Sequence, residues 1–293
     1  MKNLSDIKTI KDILKKHNFK FSHSLGQNFI INDRICPKMA EMSGANKNTS
    51  VIEIGPGIGV LTCELAKLSH KVLAIEIDKR LIPILNDTLS DFDNVEILNA
   101  DILELDIKKI IEEKFSDEEI IICANLPYYI TSPIIMKLLE SNLKIKSITV
   151  MVQKEVGKRL CAGPSNKESS AIGVAVSFYS EPHYLFDVNK NNFEPSPKVD
   201  SSIIKLDVKQ KANENLLSLK AFFKVVKASF LQRRKTILNS ISKNLNISKD
   251  ELSKILDSCN IPCNYRAENL SLDQFINLSN TIFKEVFKSE EKK

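Results

Sequence analysis

The chain has 293 residues, of which 43% are hydrophobic and 27% charged, a composition typical of a soluble globular protein with a sizeable core. No stretch of the sequence approaches the ~20 apolar residues that are needed to cross a bilayer, which argues against a membrane protein. The formal net charge of +5 is mildly basic and is compatible with a nucleic-acid partner.

The N-terminal segment and the cysteines indicate where the protein works. Residues 1–20 are rich in lysine and have a helical pattern rather than the apolar core of a signal peptide, so we expect a cytoplasmic protein. The six cysteines are scattered, and several lie in apolar runs, which predicts reduced, partly buried thiols. Cys259 and Cys263 are closely spaced, but no second pair or nearby histidine completes a zinc site, so we expect no metal.

Strand and helix patterns alternate through the first half of the chain. Predicted strands cover residues 50–55, 71–77, 95–98, 120–124 and 147–153. Predicted helices cover residues 60–68, 131–139 and 154 to about 160. The alternation predicts an α/β fold with a mostly parallel, doubly wound sheet.

The pattern changes after the fifth predicted strand. Residues 162–170 form a polar loop, and residues 184–188 and 201–208 are predicted as an antiparallel pair at the sheet edge. Residues 209–215 are predicted as a linker, followed by helices at residues 218–230, 235–245, 248–258 and 271–287. We therefore predict two domains, an α/β domain over residues 1–208 and a small all-α domain over residues 209–293.

A glycine-rich loop joins the first predicted strand of the sheet to a helix. Gly55, Gly57 and Gly59 give it the spacing G-x-G-x-G, and glycines there let the backbone approach a ligand closely. The dinucleotide fingerprint has its third glycine one place later, where this chain has Val60, which argues against a nicotinamide cofactor. No Gly-Lys-Ser/Thr sequence follows, so a P-loop is excluded.

Two acids, Glu76 and Asp101, come at the ends of the next two predicted strands. Glu76 lies 76 − 55 = 21 positions after Gly55, the spacing at which a carboxylate accepts from ribose hydroxyls. Asp101 could accept from an adenine amino group. Either acid alone could be a solvated residue or a helix cap. Together with the glycine loop they predict a pocket for a nucleoside without phosphate, and S-adenosylmethionine is the commonest biological example.

The sequence Asn-Leu-Pro-Tyr at residues 125–128 directly follows the fourth predicted strand. Ligands bind at the carboxyl ends of strands in open α/β sheets. An amide, a proline-fixed turn and an aromatic ring at that edge suit a flat ring that carries an amine, such as a nucleobase. A Pro-Tyr turn can also simply connect a strand to a helix, so the motif alone leaves both interpretations open.

With this motif included, the chain resembles the adenine-N6 methyltransferases of ribosomal RNA, and most of all those that dimethylate adenosines of 16S rRNA. The other matching blocks are residues 24–30 (Ser-Leu-Gly-Gln-Asn-Phe-Ile), 152–156 (Val-Gln-Lys-Glu-Val), 193–201 (Phe-Glu-Pro-Ser-Pro-Lys-Val-Asp-Ser) and 233–238 (Arg-Arg-Lys-Thr-Ile-Leu), the last in a basic helix. The resemblance spans roughly residues 21–270. Ile30 stands where the family usually has Leu, and His23 stands near a position that is often Lys.

The resemblance implies a fold, a cofactor and a substrate. It implies a Rossmann-like class I methyltransferase domain that uses S-adenosylmethionine to dimethylate two adjacent adenosines in the 3′-terminal hairpin loop of 16S rRNA. It also implies an immature 30S subunit as the partner; a monomer is the default expectation. The residues that match the family's cofactor contacts are Asn28, Ile30, Gly55, Glu76, Asp101 and Asn125, with Gly57 beside them in the loop.

The residues of the Asn-Leu-Pro-Tyr turn suggest how the target amine is held. We expect the Asn125 side-chain oxygen and the Leu126 carbonyl to accept from that amine, which favours a pyramidal nitrogen with its lone pair facing the methyl group. Holding the partners in line contributes within the ~7–11 kcal/mol that orientation can supply. Pro127 fixes the turn and Tyr128 stacks on the base. Phe193 either closes the opposite face of the base or is a core residue, and no general base is evident.

A run of cations marks the predicted all-α domain. Seven lie between residues 220 and 243 without an acid among them, namely Lys220, Lys224, Lys227, Arg233, Arg234, Lys235 and Lys243. A solvated helical face would also account for them, but such a run suits an RNA phosphate backbone. We expect Lys227, Arg233, Arg234 and Lys235 to bind RNA.

Other functions share parts of this pattern. An Erm-type 23S rRNA methyltransferase has the same glycine loop and turn, but the blocks at residues 193–201 and 233–238 favour the 16S type. A non-catalytic ribosome assembly factor could use the same fold, and the intact set of Gly55, Glu76, Asp101 and Asn125 argues against it. DNA adenine methylation, which uses related turns, is a further alternative.

Overall fold

The structure, a computed structural model, describes residues 3–21, 26–115, 118–210 and 214–287. It divides into two compact units. The first comprises Met1–Gly157 and His183–Gln210, and the second comprises Lys158–Pro182 and Lys211–Lys293. Within the described ranges, no helix has the length and apolar character that crossing a bilayer requires.

Helices and strands alternate from residue 7 to residue 161, as the sequence predicts, and three more strands follow later in the described part of the chain. The helices there are α1 (Ile7–Lys16), α2 (Ile35–Ser43), α3 (Val60–Leu68), α4 (Ile82–Thr88), α5 (Ile107–Lys114), α6 (Thr131–Glu140) and α7 (Lys154–Cys161). The strands are β1 (Phe29–Ile30), β2 (Thr49–Ile54), β3 (Lys71–Glu76), β4 (Val95–Asn99), β5 (Glu119–Asn125), β6 (Ile145–Gln153), β7 (Ser180–Val188), β8 (Phe193–Glu194) and β9 (Ser201–Val208). The bounds of the predicted strands and helices agree with these to within a few residues.

The central sheet has seven strands in the order β4-β3-β2-β5-β6-β9-β7. The five strands β4, β3, β2, β5 and β6 are parallel; β9 runs antiparallel to β6, and β7 lies beyond it at the edge. The mostly parallel sheet with an antiparallel edge is therefore confirmed. Strand order reverses between β2 and β5, and ligands bind at such a switch point, outside the carboxyl ends of the strands.

Buried apolar runs form the centre of this sheet. All six residues of β2 are buried, as are the five interior residues of β5. Strands that carry helices on both faces show this pattern, whereas a strand with one face in water alternates apolar and polar residues. A separate two-stranded sheet pairs β1 with β8, and Ile30 lies opposite Phe193 in it.

The second unit is helical. Its helices include α8 (Ala171–Tyr179), α9 (Leu219–Phe230), α10 (Ile237–Leu245), α11 (Lys249–Ser258) and α12 (Leu272–Ile282), and a π-helical turn at Phe283–Phe287 follows. The side chain of Ser170 accepts from the amide of Gly173 at 3.2 Å and caps the N-terminus of α8. The Phe178 ring of α8 packs 4.7 Å from the Phe222 ring of α9, between ring centroids.

These contacts correct the predicted boundary between the domains. Lys158–Pro182 was assigned to the α/β domain from the sequence, but it clusters with the helical unit. The physical reason is that Val174 and Phe178 of α8 belong to the hydrophobic core of that unit. Three residues of the predicted linker, 211–213, lie outside the described residues.

Candidate active site

A cleft opens beside the carboxyl ends of β2, β3 and β5 in the first unit. Its empty volume is about 1020 Å³, which includes space that is open to solvent. Every predicted cofactor-binding and catalytic residue except Phe193 lines it. These residues are Asn28, Ile30, Gly55, Gly57, Glu76, Asp101, Asn125, Leu126, Pro127 and Tyr128. Local motifs that lie far apart in the sequence thus meet in one place.

The glycine loop forms the floor of this cleft. Gly57 has a φ of 62°, in the left-handed region that favours glycine. A Cβ atom there would lie 3.2 Å from Cε1 of Phe29, so a larger residue would also press on the neighbouring segment. Val60 begins α3 and is buried at 8% exposure.

Glu76 is the last residue of β3 and presents a nearly buried carboxyl group to the cleft. Its Oε1 accepts from the Asp78 amide at 2.8 Å, and its Oε2 accepts from the Gly57 amide at 3.3 Å. Burial raises the pKa of Glu76 to about 7, although these backbone hydrogen bonds oppose the shift. The adjacent Ile77 lines the same cleft with a half-exposed apolar side chain and was not predicted as a site residue.

Glu53 is a second acid in the cleft, and no role was predicted for it from the sequence. It is 1% exposed as the last residue but one of the buried strand β2, and its Oε2 has no hydrogen-bond partner among the described residues. Burial raises the pKa of Glu53 to about 8, with the nearby Glu76 acting in the same direction. The group is therefore mostly protonated at neutral pH. A lone acid inside an apolar strand was the signal available in the sequence.

Asp101 lies two residues beyond the last residue of β4 rather than at the strand end itself. Its Oδ1 accepts from the Leu103 amide at 2.8 Å, which holds the carboxylate at the rim of the cleft. The side chain of Asn99 donates to the Glu76 carbonyl at 2.7 Å and so fixes the end of β4 against the end of β3. Glu76 and Asp101 therefore lie at neighbouring strand ends, which the hydrogen bond from Asn99 holds together.

The Asn125–Leu126 turn presents two acceptors that the protein does not use. The Asn125 Nδ2 donates to the Asn28 carbonyl at 3.5 Å, and no described residue donates to its Oδ1. The Leu126 amide donates to the Met151 carbonyl at 3.3 Å, which fixes the turn against β6. The Leu126 carbonyl accepts from none of the described groups. The turn is thus held by its donors and leaves two oxygens available for a ligand's amine.

Tyr128 links the cleft to a smaller neighbouring cavity. Its hydroxyl forms a hydrogen bond of 2.6 Å with the Ser201 Oγ of β9, and burial raises the pKa of the phenol. The smaller cavity shares Tyr128 with the cleft. Its full lining is Gly26, Gln27, Asn28, Tyr128, Gln153, Pro195, Pro197 and Lys198. The Tyr128 ring therefore lies where a ligand in the smaller cavity would meet a ligand in the cleft.

The aromatic residue Phe193 is not part of either cavity. Its side chain is 2% exposed and belongs to the hydrophobic core of the first unit. The prediction that its ring closes over the target base is therefore wrong for this conformation, and the alternative of a core residue holds. The physical reason is the pairing of β8 with β1, which turns the ring inwards while Pro195 and Pro197 reach the smaller cavity.

Part of the predicted N-terminal motif, residues 24–30, lies outside the described residues. Ser24 and Leu25 fall there, as does the atypical His23. Asn28 and Ile30 line the cleft, as predicted. The described residues contain no group of three or more His, Cys, Asp or Glu side chains that could hold a metal ion.

The predicted RNA-binding cations lie in the second unit. The seven cations between residues 220 and 243 are all exposed. Arg233, Arg234 and Lys235 occupy the turn between α9 and α10 rather than a helix, which corrects the predicted basic helix. The reason is local: Thr236 is the N-cap of α10 and its hydroxyl accepts from the Asn239 amide at 3.4 Å, so the helix begins only after the cations.

Known proteins resemble this chain in both sequence and fold. The model of the family described as ribosomal RNA adenine dimethylase matches residues 18–284. A protein of Bacillus pumilus named ribosomal RNA small subunit methyltransferase A is 47% identical over 94% of this chain and 96% of its own length. The protein of the same name in Clostridioides difficile is 46% identical over 96% of this chain and 98% of its own length.

Solved structures agree with the sequence relatives. A dimethyladenosine transferase from Plasmodium falciparum superposes with a TM-score of 0.72 and 26% identity, over 87% of this chain and 98% of that protein. The 23S rRNA methyltransferase ErmE superposes with a TM-score of 0.66 and 25% identity, over 87% of this chain and 99% of its own. The Rossmann-like methyltransferase fold is therefore confirmed. The chain belongs to the ribosomal RNA adenine dimethylase family, whose members are S-adenosylmethionine-dependent methyltransferases.

Proposed function

We propose that this protein dimethylates the N6 atoms of two adjacent adenosines in the 3′-terminal hairpin loop of 16S rRNA. In this proposal the substrate is an immature 30S subunit, and the enzyme acts in the cytoplasm during small-subunit assembly. It acts as a monomer. The names of the relatives support the small subunit as the target. The observation that carries the chemistry is the pair of unused acceptors, Asn125 Oδ1 and the Leu126 carbonyl, beside the glycine loop.

The residues of the cleft suit S-adenosylmethionine, which supplies an activated methyl group when it is bound. The left-handed Gly57 lets the loop backbone approach a ligand. The fixed carboxyl group of Glu76 would accept from ribose hydroxyls, the exposed face of Ile77 would pack against the adenine ring, and Asp101 would accept from its amino group. Asn28 and the other predicted contacts lie around the same cleft.

The unused acceptors would orient the target amine. The lone pair of an adenine N6 is delocalised into the ring, which makes the amine a poor nucleophile. Hydrogen bonds to Asn125 Oδ1 and to the Leu126 carbonyl would draw its two protons apart and favour a pyramidal nitrogen. Stacking of the base on Tyr128 would contribute roughly 1–3 kcal/mol to holding it. The chain offers placement rather than acid–base chemistry at this position.

RNA binding would rest partly on the helical unit. Its exposed cations, Lys227, Arg233, Arg234 and Lys235 among them, suit contact with a phosphate backbone. The target base must leave its stack to reach the cleft, and an unpaired loop lowers that energetic cost. We propose that this unit, residues 158–182 together with 211–293, docks the enzyme on the ribosomal particle.

The exchange Asn125→Ala tests the role of the turn. Removing one acceptor is expected to slow the single-turnover methyl transfer by about a hundredfold, a typical loss for one transition-state hydrogen bond in a preorganised site. Binding of S-adenosylhomocysteine is measured separately, so that a loss of cofactor affinity is not mistaken for a loss of chemistry. Asn94→Ala is the control, because the Asn94 side chain donates to backbone carbonyls away from the cleft. A chemical step within about threefold of the wild type would exclude the positioning role.

The second candidate substrate is 23S rRNA, because the 23S rRNA methyltransferase ErmE has the same fold and 25% sequence identity to this chain. Methyl transfer is therefore assayed on 30S particles and on 23S rRNA in parallel, with labelled S-adenosylmethionine. We expect label only in the 30S samples, on the N6 atoms of adjacent adenosines. Label confined to 23S rRNA would replace the proposed substrate while leaving the family assignment in place.

A further inference from the structure

The carboxylate of Asp78 joins the N-terminal segment that carries Asn28 and Ile30 to the end of β3. Asp78 Oδ2 accepts from the Gln27 side chain at 2.8 Å. The amide of the same residue donates to Glu76 Oε1 at 2.8 Å. Two walls of the cleft, one formed by this segment and one by Glu76, are therefore connected through one residue.

Asp78 is held in place by Arg80. The guanidinium Nε donates to Asp78 Oδ1 at 2.8 Å and its Nη2 donates to Oδ2 at 2.6 Å, a bidentate pair that also fixes the carboxylate plane. The side chain of Asp78 is only about 5% exposed. The hydrogen bonds from Arg80 hold the pKa of Asp78 below its ordinary value, so the carboxylate is charged and acts only as an acceptor at neutral pH.

Arg80 also contacts the chain before Gln27. Its Cζ lies 5.1 Å from the ring centroid of Phe19, and its Nη1 donates to the Lys20 carbonyl at 3.4 Å. The loop after β3 therefore binds the N-terminal segment at two places, at residues 19–20 and at Gln27. From Gln27 the connection continues to a third wall of the cleft, at Asn125 of β5, because the Asn28 carbonyl accepts from Asn125 Nδ2.

We propose that Asp78 is a positioning residue, which holds the segment of Gln27, Asn28 and Ile30 across the cleft and so sets the affinity for the methyl donor. The inference rests on the proposed use of this cleft for S-adenosylmethionine. Asp78 lines neither cavity. It acts on the bound donor through Gln27 on one side and Glu76 on the other. Neither Asp78 nor Gln27 is among the residues that match the family's cofactor contacts.

The central experiment is a double-mutant cycle on Gln27 and Asp78. Gln27→Met keeps the length of the side chain and removes its donor, whereas Asp78→Ala removes the acceptor. Binding of S-adenosylhomocysteine is measured by calorimetry for the wild type, both single variants and the double variant. We expect the dissociation constant to rise about tenfold in each single variant, as befits a lost charge-assisted hydrogen bond. In the double variant it should rise little further, because the same connection is lost only once.

Kinetics separate this role from a merely structural one. The KM for S-adenosylmethionine should rise with the dissociation constant, while kcat at saturating donor stays within about threefold. Asp87→Ala is the matched control. Asp87 contacts Lys16 Nζ at 2.7 Å and His17 Nε2 at 3.2 Å, so it also joins the N-terminal region to the fold, but none of these three residues lines the cleft. The control should lower the unfolding temperature without changing donor affinity.

The possible outcomes distinguish failure of the inference from failure of the proposed function. A wild-type protein without affinity for S-adenosylhomocysteine overturns the proposed function. If the wild type binds S-adenosylhomocysteine and the Gln27→Met variant binds it with unchanged affinity, the positioning role of Asp78 is overturned while the proposed function stands. Additive losses in the double variant also overturn it, since they would mean that the two side chains affect the donor independently.

Discussion

The raised pKa of Glu76 leads to a testable pH dependence of donor binding. Burial raises this pKa to about 7 in the free cleft. Ribose hydroxyls donate to a carboxylate, so in the proposed complex the methyl donor binds the deprotonated form of Glu76 and displaces the proton from the protonated form. The direction follows directly: affinity is low below pH 7, where the carboxyl holds its proton, and increases as the pH rises through 7.

The magnitude follows from the same pKa. With a pKa of about 7, roughly one molecule in eleven carries the ionised Glu76 at pH 6, and roughly ten in eleven carry it at pH 8. The dissociation constant for S-adenosylhomocysteine should therefore fall about tenfold from pH 6 to pH 8. Binding at pH 6 should also release close to one proton per site.

Calorimetry at pH 6, 7 and 8, in buffers of different ionisation enthalpy, measures both the affinity and the released proton. Glu76→Gln carries no titrating proton and should bind with a dissociation constant that changes less than about twofold over this range. Glu53→Gln is the control, since Glu53 also has a raised pKa and lines the cleft but is not predicted to contact the ribose. A flat profile for the wild type, or an unchanged slope in Glu76→Gln, would refute the assignment of this carboxylate.

Two further predictions concern stability and RNA binding. Burial raises the pKa of Glu53 from its ordinary value of 4.5 to about 8, so the folded state keeps a proton that the unfolded chain releases, and the contribution of Glu53 to the free energy of unfolding should fall with rising pH by about 1.4 kcal/mol per unit between the two pKa values. Glu53→Gln removes this contribution. Between pH 6 and pH 8, urea denaturation should show the unfolding free energy of the variant rising by about 2–3 kcal/mol relative to that of the wild type. A difference between the two proteins that stays constant with pH would contradict the buried proton. Exchange of both Arg233 and Arg234 for Ala should reduce the slope of log affinity against log salt by roughly 1.4–1.8 for rRNA. Lys249→Ala with Lys254→Ala removes the same charge from α11, and an equal change there would mean that the effect is not local.

The parallel sheet could be predicted because its signals are local. Each strand of the sheet centre is a buried apolar run, and glycine, proline or acidic residues follow it, as at the end of β2 and the end of β5. The gathering of the candidate site residues around one cleft could be predicted for the same reason. Asn125 and Glu76 end their strands and the glycine loop follows another, and parallel strands bring those ends to one edge of the sheet.

The helix α8 could not be predicted in this way. Ala171–Tyr179 is apolar almost throughout, so it lacks the amphipathic period that indicates a surface helix. It also contains Gly173, which usually weakens a helix. The structure gives the reason for that glycine, because a Cβ there would lie 2.5 Å from the Ala162 carbonyl oxygen. Close packing inside the helical unit, rather than local preference, selects this residue.

The residues whose prediction failed or was absent depend on contacts across the chain. The ring of Phe193 is turned inwards by the pairing of β8 with β1, about 160 residues earlier, and no local pattern records this. The connection from Gln27 to Asp78 spans 51 positions. Glu53 was visible as an acid in an apolar strand, but only its position in the folded sheet shows that it lines the cleft.

The reversal of strand order between β2 and β5 divides the cleft by reactant. Residues at or just after the ends of β2, β3 and β4 provide the contacts proposed for the nucleoside of the methyl donor, while the turn after β5 provides those proposed for the methyl acceptor; Asn125, the last residue of β5, is proposed to serve both. Because separate stretches of chain build the two halves, one half can change while the other keeps its geometry. An engineer who wished to redirect methylation to a different amine would therefore rebuild residues 126–130 and the side of the smaller cavity formed by Pro195, Pro197 and Lys198, and leave Gln27, Asn28 and the glycine loop untouched.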